Sequence, residues 1–223
     1  MSEPTRVAPA RRRGLADEVA DRVRDAIFDG SYPPGTQLRE ANLSAELEVS
    51  RGPVREALMR LEAEGLVRSA WHRGATVTEL SADDIAELDS LRGALENLAV
   101  GLVAREASQD DLAAVEAAAR RMERAEDEYE MAACDIAFHD AIYLASGHRR
   151  VHQAWEAIRC QVHLFLINRI RANSVGYLEH LPGEHADLVA ALRTGDAVTA
   201  VRLFAEHRQH AIDVLSKDVP PVR

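Results

Sequence analysis

The segment "VSRGPVREALMRLEAEGLV", Val49 to Val67, restricts the possible folds more than any other part of the chain. Ser50 is a good helix N-cap, Pro53 is tolerated in a first turn, and Val54, Ala57, Leu58 and Leu61 recur at helical spacing, so they face one way. Gly65 ends the helix, and "LVRSAWHRGATVTEL" then reads as two short strands around a turn at His72, Arg73 and Gly74. Upstream, Leu15, Val19, Val23 and Ile27 mark an amphipathic helix that stops at Gly30 and the Pro33-Pro34-Gly35 run, and a short helix fits Glu40 to Leu47. Three helices and a hairpin, in that order, predict a winged helix-turn-helix.

Arg51 and Arg55 stand one turn apart on the outward face at the start of the third helix. An arginine there can reach guanine O6 and N7 in the major groove while helix amides hold phosphates; the plainer alternative is a pair of solvated surface charges. The order of elements favours DNA. The region also resembles the GntR family of bacterial transcription regulators, through "GSYPPGTQL" (Gly30 to Leu38), Val49 to Val67, and "RGATV" (Arg73 to Val77). The resemblance implies that Ser50, Arg51, Gly52 and Arg55 face double-stranded DNA, with Arg73 and Gly74 at the tip of the wing. Gly52 stands where relatives often carry threonine, so one hydroxyl contact is missing here.

Charge separates this region from the rest. Twelve arginines oppose 13 acidic residues up to residue 79, so nearly all of the net charge of −10 lies beyond it. The expected organisation is a basic, disordered arm at 1–14, a DNA-binding domain at 15–79, a second domain at 80–217 and a tail at 218–223. No apolar run approaches the roughly 20 residues of a membrane span, and "MSEPTRVAPARRRG" lacks the apolar centre of a secretory signal. A cytoplasmic protein with no membrane partner is expected. Cys134 and Cys160 form neither a disulfide framework nor a paired zinc motif, and read as small core residues.

Beyond residue 80 the pattern is helical. Ser81 with Asp84 opens a helix whose apolar face is expected at Ile85, Leu88, Leu91, Leu95, Leu98 and Leu102. Ser108 opens another; further helices are expected near 128–146, 149–172, 183–193 and 197–216, with Gly147 and Gly195 between them. The fold class is therefore mainly α: a winged helix-turn-helix followed by an all-α antiparallel bundle. Within "CDIAFHD", Asp135 and His139 are four apart in an otherwise apolar helix, so they converge on one point that could be a metal, or they form an ordinary hydrogen-bonded pair.

This half resembles the FCD ligand-binding domain of FadR-like GntR regulators, through Leu91 to Ala104, Asp135 to His148 and Glu184 to His207. The family commonly has Gly-Asn where this chain has Gly147-His148. The resemblance implies that His185 and His207 join Asp135 and His139 around a divalent ion; three imidazoles and a carboxylate suit zinc, nickel or manganese. It also places Arg92 in the pocket, where a guanidinium can grip a small carboxylate effector, against the alternative of an Arg92–Glu96 surface salt bridge. His210, one turn beyond His207, is the nearest substitute ligand, while His148, His152, His163 and His180 read as structural or exposed. The two resemblances together imply a homodimeric repressor of a short inverted-repeat operator, controlled by an organic acid. The rival readings are a helical metalloenzyme on the same residues and a regulator with a purely structural metal.

Overall fold

The computed structural model describes the backbone of residues 14–70, 74–171 and 177–218, with the side chains of 14–69, 74–171 and 180–213. Residues 1–13 of the expected arm (1–14), His72, Arg73 and residues 219–223 of the expected tail (218–223) lie outside the described residues. The N-terminal unit comprises α1 (Leu15–Phe28), β1 (Gln37–Leu38), α2 (Glu40–Glu46), α3 (Arg51–Ala63), β2 (Val67–Ala70) and β3 (Gly74–Val77). Val19, Val23 and Ile27 of α1 meet Val54, Ala57, Leu58 and Leu61 of α3 in one buried core, as their spacing predicts. Strand β1 was not anticipated. It pairs antiparallel with β3, giving the order β1-β3-β2 and turning the expected hairpin into a three-stranded wing. Ser50 occupies the N-cap of α3, but its hydroxyl makes no capping hydrogen bond.

The bundle comprises α4 (Ala82–Glu106), α5 (Gln109–Arg121), a short 3-10 turn (Met122–Arg124), α6 (Glu128–Ala145), α7 (Arg149–Arg171), α8 (Tyr177–Arg193) and α9 (Ala197–Asp218). Reciprocal capping boxes start α4 (Ser81 with Asp84) and α5 (Ser108 with Asp111), and Asp127 caps α6. Helix α8 begins earlier than expected because it runs through Pro182, which gives up one internal hydrogen bond. The expected apolar face of α4 is also revised. Leu91 and Leu98 are 47% and 45% exposed, whereas Arg92, Gly93, Glu96, Ala99, Val100 and Val103 are buried against α6, α7 and α9. Charged side chains hold the inward face because each finds a partner there.

Helix α7 ties the two units together. Leu164, fully buried, belongs to the core of the N-terminal unit, and the His163 ring stacks on Phe28 of α1 with centroids 3.8 Å apart. Gly30, at φ +80, lies so close to Tyr129 that an added Cβ would sit 2.5 Å from its ring. Cys160 faces Glu64, which also receives two hydrogen bonds from Arg24; both cysteines are free.

His163 has a buried Nε2 without a hydrogen-bond partner, and burial pushes its pKa from 6.5 down to about 4. The unfolded chain therefore binds a proton before the folded one does. Stability from this residue is complete above about pH 6.5 and is lost as pH falls towards 4, by up to about 3 kcal/mol. His163→Phe, which preserves the stack on Phe28, is expected to flatten urea-unfolding stability between pH 6.5 and 4; an unchanged slope would assign that acid sensitivity to other groups.

Candidate metal centre

Helix α6 carries Asp135 and His139 on its buried face, 3% and 0% exposed, because four residues make about one turn. Helix α8 brings His185, also fully buried, and α9 brings His207. One ligand atom from each of the four lies within 4.8 Å of the others. The structure therefore brings together all four residues expected from the resemblance. His210 turns instead towards Glu184, with its Nδ1 3.2 Å from Oε1.

The tautomers follow from the partners. His185 Nδ1 is 2.9 Å from the Leu181 carbonyl and His207 Nδ1 is 2.9 Å from Glu184 Oε2; both partners can only accept, so both Nδ1 atoms donate. His139 Nε2 is 2.7 Å from an Arg92 Nη2 that can only donate, so this Nε2 carries the lone pair and its Nδ1–H faces Glu96 Oε1 at 3.2 Å. Burial, aided in His139 by Arg92, holds the His139 and His207 rings below the usual histidine range and so neutral near pH 7. Burial opposes the charge on Asp135, yet His185, His139 and Arg92 hold its carboxyl far below the usual range.

His185 and His207 are thus anchored through Nδ1 by an oxygen, with Nε2 left as the basic atom, the arrangement that orients histidines toward a metal, while His139 Nδ1 lies near Glu96 without hydrogen-bond geometry. His185 Nε2 sits 2.9 Å from Asp135 Oδ1, off hydrogen-bond geometry and without another partner. A proton on Nε2 or a bound cation satisfies this contact. The donor set fits a divalent ion of the borderline class.

Arg92, 5% exposed, lies beside this group on α4. Its Nη2 reaches Glu96 Oε1 at 3.5 Å, so the expected alternative pair exists, but it is buried and not on the surface. Its Nε has no hydrogen-bond partner, and neither has the buried Tyr143 hydroxyl. Sequence reasoning missed Glu96 as a centre of charge. Burial opposes its ionisation, but Arg92, His139 and Arg208 hold its carboxyl well below the usual range. Arg208 Nη1 lies 2.6 Å from Glu96 Oε2, and its Nε 2.9 Å from Asp89. It reaches them across Gly93, where a Cβ would stand 2.8 Å from the guanidinium. Glu184, anchoring His207, was missed too; its only signal was its place next to His185.

At the other end of the chain, Ser50, Arg51, Gly52 and Arg55 are all exposed at the start of α3, and a Cβ on Gly52 would meet nothing within 4 Å. Arg55 pairs with Glu40 of α2 through two contacts of 3.0 Å. Gly74, at φ +77, opens β3, while Arg73 lies outside the described residues. Among the described residues no helix is long and apolar enough to cross a membrane.

Comparison with known proteins agrees with both halves. Residues 15–77 match the gntR family of bacterial regulatory proteins, and residues 84–210 match the FCD domain. The "Probable D-xylose utilization operon transcriptional repressor" of Paenarthrobacter nicotinovorans is 30% identical over 88% of this chain and 86% of its own length. The gluconate operon transcriptional repressor of Bacillus subtilis is 28% identical over 82% of this chain and 78% of its own. The solved structure of Escherichia coli McbR/YncC superposes with a TM-score of 0.78 at 26% identity, covering 92% of this chain and 99% of that one. With a winged helix that matches one model and a bundle that matches the other, the chain belongs to the gntR family of transcription regulators, in the group whose second domain is FCD.

Proposed function

We propose that the chain is a dimeric repressor in which the winged helix, residues 15–79, binds an inverted-repeat operator and the bundle, residues 80–217, holds a divalent ion and a small carboxylate effector. The observation that carries the metal reading is the convergence of Asp135, His139, His185 and His207, with one ligand atom from each within 4.8 Å of the others. Asp135, His139, His185 and His207 would hold the ion, which supplies a Lewis-acid position for a carboxylate oxygen. His139 has one basic lone pair, and Arg92 now occupies it. Ion and guanidinium cannot share that lone pair, so loading the site releases an Arg92 N–H beside an Nε already without an acceptor. An anion answers both donors.

The relatives named as operon repressors support repression. Leu91 and Leu98, exposed and seven apart on α4, support a face for a second copy. The effector reaches DNA only if it binds the operator-competent and incompetent arrangements unequally. Helix α7 is suited to that coupling, since Val162 and Phe165 line a cleft beside Arg92 while His163 and Leu164 seat in the N-terminal unit. The test is elemental analysis of the purified protein with operator binding measured with and without acids. Absence of divalent metal after loading with zinc, nickel or manganese would sink the centre, and steady consumption of the acid would favour catalysis over sensing.

Arg51→Ala should weaken operator binding by about 1–3 kcal/mol at fixed salt if the side chain reads a guanine edge. Arg55 gives a weaker test because Glu40 already holds it. Gel-shift titration that finds Arg51→Ala unchanged would remove that contact.

A further inference from the structure

We infer that the effector is a short monocarboxylate with an apolar chain, and that it is neither a sugar acid nor a dicarboxylate. This rests on the proposed effector site and adds the chemistry of its ligand. A narrow cleft opens beside Arg92 between α4, α7 and α9. It is lined by Ile85, Leu88, Val162, Phe165 and Ile212, with Asp89 and Arg92 as its polar members. Asp89 is already engaged by Arg208, which leaves Arg92, with its unpartnered Nε, as the polar anchor. A carboxylate satisfies that donor. Ligand hydroxyls extending into the apolar part would give up water and find no partner, which rejects a polyol.

The charges set the same limit. Arg92 and Arg208 oppose Glu96, Asp89 and Asp135, so a divalent ion brings the group to a net +1. Counting Glu184, which is a third exposed and shared with His210, removes that unit. The site therefore neutralises at most one carboxylate, and a second would be buried unpaired.

Calorimetric titration of the zinc-loaded full-length protein with acetate, propionate, butyrate, pentanoate, glutarate and gluconate tests this. Affinity should rise about fourfold per added methylene, on the order of 50-fold from acetate to pentanoate, with glutarate and gluconate each weaker than pentanoate. Leu88→Asn, a change at a half-buried position in the cleft wall, should cut the acetate-to-pentanoate gain to less than about fivefold. Tighter binding of glutarate or gluconate than of pentanoate, or affinities independent of chain length, would overturn the inference while the carboxylate site stands. Binding of no acid, acetate included, by protein of verified zinc content would overturn the effector site and this inference together.

Discussion

Replacing His185 by alanine is expected to lower divalent-metal affinity by more than about 100-fold, beyond the 10- to 100-fold typical of losing an outer partner. The reason lies in the contact with Asp135. His185 supplies a fully buried, basic Nε2 whose ring is fixed by the Leu181 carbonyl, and no neighbouring imidazole can take its place, since His210 is committed to Glu184. Glu184→Gln should fall in the milder range, because it weakens the anchor on His207 without removing a ligand. Competition with a chromophoric chelator, on protein shown by circular dichroism to be folded, measures both. Equal affinities for His185→Ala and the parent protein would strike His185 from the ligand set.

Glu96→Gln is expected to destabilise the protein by about 3 kcal/mol, the low end for breaking a buried ion pair, because the amide retains an acceptor. Glu96 is 1% exposed and faces Arg92, Arg208 and His139 together, so losing its charge leaves two guanidiniums with less compensation. For a chain of this size the melting temperature should drop by roughly 6–12 °C. A fall of less than about 1 kcal/mol in urea titration would mean that solvent screens this group as it does a surface pair.

The N-terminal unit was legible because its determinants are local. The stripe on α3, its closing Gly65 and the strand alternation are all set within a few residues. Strand β1 escaped because two residues, Gln37 and Leu38, become a strand only by pairing with Thr76 and Ala75, far along the chain. The candidate metal site divides in the same way. Asp135 and His139 share a helix and can be found by spacing, whereas His185 and His207 enter from other helices and came from the family resemblance. Helix α4 shows why the rest was hidden. None of its leucines is among its fully buried residues, and the partners offered by α6 and α9 decide that Arg92 and Glu96 turn inward. Pro182-Gly183 reads as a break locally, yet α8 continues through it.

The seating of Leu164 has a bearing on how such proteins can be taken apart. A DNA-reading half expressed alone would carry an open socket where α7 now plugs in. Grafting that half onto a foreign sensor would therefore require transplanting the plug, His163 and Leu164, along with the reader. Modularity in this architecture ends at a side chain and not at a linker.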